Sequence, residues 1–254
     1  GGGMFNFFQS NPILNDVVFS GNTVNAEDGR GGGMFNQQFS SPILTNVIFD
    51  SNSSGWIAGG MYSDFHSSPS LTEVTFSNNS AIVAGGMYNA DSSNPILTNV
   101  NFVGNFINND WGVGGGMANQ ANSPTLTNVT FSNNSAPDQG GGMFNYESSP
   151  TLTNVTFSGN SVTSLEGEGG GMFNNFGTPT LTNVTFTGNS AIVSGGGISS
   201  WSTTPMITNS ILWGNTPDQI SGLAAVTYSD VQDGWAGTGN ISQNPLLGPL
   251  ADNG

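Results

Sequence analysis

The chain is poor in the groups that usually do chemistry. It has one basic side chain besides histidine (Arg30), one histidine (His66), no cysteine and 16 acidic residues, for a net charge of −15. Without thiols there is no disulfide framework and no thiolate metal site. Elimination on an acidic polysaccharide needs a basic residue, commonly with calcium, and only Arg30 and His66 offer themselves. Glycosidic hydrolysis needs two or three convergent carboxylates. Most of the acids are scattered, and Asp16 and Glu73, which share one position of the repeat described below, lie two copies apart. The best grouped are Asp110, Asp138, Glu166 and Glu168, four to seven residues before the repeat anchors of three consecutive copies. Stacked on adjacent coils, they would offer oxygen ligands to Ca²⁺ or form a solvated acidic edge. The expectation is a non-enzymatic protein with no cofactor, Ca²⁺ at this cluster being the one candidate. A polysaccharide lyase or hydrolase is the rival.

What must position these residues is a repeat. A Gly-Gly-Met anchor ends at Met4, Met34, Met61, Met87, Met117, Met143 and Met172 and recurs as Gly-Gly-Ile at Ile198, with spacings of 30, 27, 26, 30, 26, 29 and 26 residues. Periods of this length mark solenoids. From Pro to the closing Asn the distance is ten residues in every copy, from Pro12–Asn22 to Pro205–Asn215, so the sizeable length variation falls in one loop. Runs such as Val155-Thr156-Phe157 alternate with period two, and no run between turn signals suits a helix. Leu152 is out of phase with Val155, which requires a corner at Thr153-Asn154. The expected fold is all-β: a right-handed parallel β-helix of about eight to nine coils of 26–30 residues, about three strands each, about 40 Å long. Eight coils are expected over residues 1–220, with an irregular ninth coil and C-terminal segment of the same domain over 221–254.

The core is then a set of columns: the anchor Met, Leu14 to Ile207, Val17 to Val184 and Phe19 to Leu212. Asn22, Asn52, Asn79, Asn105, Asn134, Asn160, Asn189 and Asn215 are expected to form an in-register amide ladder. With Met inward, alternation sends Phe5, Phe35, Tyr62, Tyr88, Phe144 and Phe173 outward. Such a column would be an assembly interface or a sugar-stacking platform; burial beneath a flanking loop is the alternative. Thr125/Thr127, Thr151/Thr153 and Thr180/Thr182 form a short T-x-T array like those of ice-binding solenoids, although outward Thr is also a good strand former. Sequons at Asn128, Asn154 and Asn183 offer a glycosylation column if that corner is exposed.

G-G-x-[IM]-x-N paired with F-x-x-N resembles the repeats of chlamydial polymorphic membrane proteins and of secreted bacterial β-helix proteins. The stretch from Val226 to Val231, with Gly239-Asn240-Ile241 and the segment Asn244 to Gly254, resembles the closing segment of bacterial "choice-of-anchor" surface proteins. The resemblance implies the β-helix and a bacterial extracellular or cell-surface address; such proteins serve as adhesins or surface components. The anchor departs from the chlamydial pattern, carrying Met and an aromatic where small aliphatics are frequent there.

The charge opposes binding to nucleic acid or to anionic membranes, and no apolar run is long enough to span a membrane. The chain opens mid-repeat, which suggests a piece of a longer precursor with an uncapped first coil. Together these features point to a non-enzymatic extracellular structural or surface protein that self-associates head to tail into fibrils. The alternative is a carbohydrate-binding or adhesin-type module with extracellular glycans as partners.

Overall fold

The computed structural model describes residues 1–248. The chain winds as a parallel β-helix with a nine-stranded, a sixteen-stranded and a six-stranded sheet. The register follows the repeat: Met34 pairs with Met61, Leu44 with Leu71 and Phe49 with Phe76. The second coil shows the pattern, with strands Met34–Gln37, Ile43–Thr45, Ile48–Asp50 and Ser53–Ser54. The expected three strands are found in coils four, five, seven, eight and nine, while coils one, two, three and six have four, the middle two both lying in the sixteen-stranded sheet. The corner between them is a single left-handed residue: φ is 52° at Asn46, 55° at Asn154 and 56° at Asn183. Asparagine tolerates this conformation better than most side chains. In the fourth and fifth coils the corner is absorbed into the single strands Ile96–Val103 and Thr125–Ser132.

The anchor glycines are dictated by closeness. A Cβ on Gly33 would lie 2.7 Å from both the Gly60 carbonyl oxygen and the Phe49 ring. Only glycine lets neighbouring coils approach over the phenylalanine column. That column is a continuous stack from Phe19 to Phe186, with successive rings 4.6–4.8 Å apart. Met, Leu, Val and Phe columns form one buried core along the axis.

Two amide ladders run through the interior. In the first, each Asn from Asn22 to Asn189 donates from its side-chain amide and its backbone N–H to the Oδ1 of the next; Asn105 to Asn134 is 2.9 Å and 3.0 Å. Each side chain from Asn52 onward also donates to a phenylalanine carbonyl of the preceding coil, as Asn134 does to Phe102 at 2.9 Å. At Asn215 the ladder ends on Gln219, whose Oε1 accepts at 2.7 Å and whose Nε2 returns a bond to the Asn215 carbonyl at 3.1 Å. The second ladder is made by the Asn two residues after the anchor Met. It runs Asn6–Asn36–Ser63, and resumes Asn89–Asn119–Asn145–Asn174–Ser200. The break at Ser63 leaves Asn89 Oδ1 buried without a donor.

Beyond Ile220 the chain makes a ninth, shorter coil. Ile220–Gly222, Ala225–Thr227 and Asp230–Val231 add to the eighth, and Trp235 and Asn240 bond back to the Ala224 and Val226 carbonyls. The last six residues of the expected closing segment lie outside the described residues. No helix among the described residues is long and apolar enough to cross a membrane.

Candidate functional site

The outer face of the nine-stranded sheet carries the residues one and three positions after each anchor. Its edge is the variable loop, which runs beside the sheet as a ladder of bridges: Arg30–Ile57–Val83, then Val113–Gln139–Glu168–Ser194. That edge is apolar in the early coils and polar in the later ones, and the aromatic column responds. Phe35, Tyr62 and Tyr88 are buried in a second cluster with Ala58 and Ala84, packed against Ile57 and Val83. Phe173 is also buried, Phe144 is half-buried, and only Phe5 stands clear, at 52% exposed. The expected exposed column is therefore corrected to its alternative, burial: these side chains point away from the main core, apolar loop residues cover Phe35, Tyr62 and Tyr88, and Phe173 is buried with Trp201 packed edge-on against it.

Within the covered half lies a polar knot. Asp64 is 2% exposed, and its Oδ2 lies 3.9 Å from an Arg30 nitrogen. Arg30 also sits over the Tyr62 ring at 5.7 Å. Burial holds the Asp64 carboxyl above the usual carboxylate range, and the neighbouring Asp91 adds to the shift. Burial likewise pushes the Tyr62 hydroxyl far up and Tyr88 to about 12. Neither tyrosine is therefore a base near neutrality. The Tyr88 hydroxyl donates to Gln120 Oε1. His66 stacks on Phe39 at the neighbouring corner, with ring centroids 5.2 Å apart.

The other half is open. A cleft of about 500 Å³ is lined by Val113, Asp138, Gln139, Glu166, Glu168, Val193 and Trp201. Trp201 is 48% exposed and packs edge-on against Phe173. Its indole N–H donates to Glu168 Oε2 at 2.8 Å, and the Ser199 hydroxyl donates to the same oxygen at 2.8 Å. Asp138 Oδ2 accepts from the Gly112 N–H at 3.0 Å. Three of the four acids singled out from the sequence thus share this cleft; Asp110 is not in its lining. Among the described residues no three His, Cys, Asp or Glu side chains come together as a metal-ligand set. Two of the cleft carboxylates already serve as acceptors for the protein's own donors.

Residues 64–232 match the family described as the right handed beta helix region. The chain belongs to that family. No curated protein and no solved structure matches it.

The corner residues Asn128, Asn154 and Asn183 are exposed and form a third, external ladder. Asn154 donates to Asn128 at 3.1 Å and Asn183 to Asn154 at 3.0 Å. A glycan on this column would take one amide hydrogen from each rung. The threonine array is in register, Thr125–Thr151–Thr180 and Thr127–Thr153–Thr182, flanked by exposed Ile96 and Met206.

Sequence reading missed Trp201, which stands where the anchor is Ile198 rather than Met, and the whole column three residues past the anchor. Alternation puts that column on the same outer face as the residue after Met, and this was the available signal.

Proposed function

We propose that this β-helix is a non-enzymatic surface scaffold, bacterial and extracytoplasmic, that binds carbohydrate on the open half of its nine-stranded sheet. The observation that carries the reading is Trp201: a half-exposed indole at the wall of a carboxylate-lined cleft, its rotamer fixed by Glu168. An indole face stacks on the C–H face of a sugar ring, and pre-organising it removes an ordering cost from binding. The carboxylate oxygens that the protein leaves free accept hydroxyl hydrogens. Binding is favoured over hydrolysis because Glu168 and Asp138 are engaged in holding backbone and indole in place, while an acid–base pair needs both carboxyls aimed at one bond.

Head-to-tail fibrils are the second reading. They require the last coil to offer its Asn ladder to the next molecule, and Gln219 already occupies that position, which favours discrete rods. A glycan array probed with the protein and with Trp201→Ala tests the first reading. The protein should be retained on a subset of glycans and the variant lost from them. Equal retention of both, or none by either, would overturn it.

A further inference from the structure

The column three residues past the anchor alternates. Gln120 pairs with Tyr146, Tyr146 with Asn175, and Asn175 with Trp201, each on the next coil. The order is therefore amide, aromatic, amide, aromatic. Gln120 and Trp201 are exposed, and Tyr146 and Asn175 are half-buried. Neighbouring rungs are about 4.8 Å apart, so like chemistry recurs about every 9.6 Å along the axis. In a flat, two-fold β-1,4-linked glycan each ring is flipped relative to the last, so like faces and like hydroxyls recur every second ring. That disaccharide repeat is close to two rungs of this ladder.

Resting on the reading of this face as a carbohydrate site, we infer that its ligand is a flat two-fold β-1,4-linked glycan of uncharged or amino sugars. The glycan lies along the helix axis with about one ring per coil. Trp201 and Tyr146 stack on the like faces of alternate rings, and Asn175 and Gln120 bond the hydroxyls of the rings between. A β-1,3 glycan coils and would lose this register within a few rings. A uronate chain would bring its carboxylates against Asp138, Glu166 and Glu168 in the flanking cleft, with like charges in a partly desolvated wall. The one Lys or Arg side chain of the sequence, Arg30, is on the opposite half and already faces Asp64.

Isothermal titration with cellohexaose, chitohexaose, laminarihexaose and hexagalacturonate, and with the shorter β-1,4 oligomers, tests this. The β-1,4 hexamers should bind at least about tenfold more tightly than the other two. Affinity should climb steeply once the oligomer is long enough to span Tyr146 and Trp201, between the dimer and the tetramer. Tyr146→Ala and Asn175→Ala should each weaken hexamer binding about tenfold; Asn175→Ala, at a half-exposed amide, keeps the test decisive if Tyr146→Ala fails to fold. Equal or tighter binding of laminarihexaose or hexagalacturonate, sensitive to Trp201→Ala, would overturn the linkage and leave the carbohydrate site standing. Absence of binding by all four hexamers, together with a silent glycan array, would overturn both.

Discussion

The two halves of the nine-stranded sheet share strand register, anchor and inward core, and differ in what the loop beside them carries. In the early coils Ile57, Ala58, Val83 and Ala84 close over Phe35, Tyr62 and Tyr88 and make a second core. In the later coils Gln139, Glu168 and Ser194 take the bridge positions of Ile57 and Val83, and the same face remains a cleft. An outward aromatic on a β-helix is thus neither surface nor core by its own phase. The flanking loop decides for Phe35, Tyr62 and Tyr88, whereas Phe173 is buried beside polar bridge residues, with Trp201 packed edge-on against it.

The largest effects should be indifferent to that difference, because the inner Asn ladder runs beneath both halves. Asn79→Ala under the covered half and Asn160→Ala under the open half should each cost about 3 kcal/mol, since each leaves several buried partners unpaired. Urea unfolding measures both, and a marked inequality would mean that the halves differ in their cores as well as their faces. The sharpest contrast comes next. Tyr62→Ala should cost about 3 kcal/mol as a large buried aromatic, and Trp201→Ala less than about 1 kcal/mol. Equal losses would break the comparison.

Asp64→Asn probes the knot by pH. Burial raises the Asp64 pKa in the folded state, so its contribution is fully present below the unfolded value of about 3.9 and is lost as pH rises through the folded one. The variant should therefore unfold at a higher temperature than the parent at neutral pH, with the difference shrinking toward pH 4. A difference that grows on acidification would reverse the assignment. The smallest effect is a gain. Ser63→Asn would give Asn89 Oδ1 its missing donor and Asn36 an amide partner, and should stabilise by about 1 kcal/mol. A loss would show that the third coil has no room for the larger side chain.

The fold was legible because the repeat states it several times over. Gly-Gly-Met, the Leu, Val and Phe columns and the Asn ladder each recur with fixed spacing, and their structural positions follow from alternation plus one corner. The count of about three strands per coil holds in most coils, and where it becomes four, as around Asn154, both strands flanking the corner lie in one sheet. The site was only partly legible. Asp138, Glu166 and Glu168 stood out as neighbours in coil number. What hid Trp201 and the burial of Tyr62 was the loop, whose length varies and whose register against the sheet emerges only once Ile57 is seen beside Arg30 and Val83. The second Asn ladder sat in plain view in Gly-Gly-Met-Phe-Asn, since with Met inward the same alternation points this Asn inward as well.

Hydroxyl-radical footprinting with and without saturating cellohexaose tests the central claim most directly. The account predicts that Trp201 and Tyr146 react in the free protein and are shielded by the saccharide, while Tyr62 and Tyr88 stay silent in both states. Reactive Tyr62 and Tyr88, or a Trp201 whose oxidation the saccharide leaves unchanged, would contradict it.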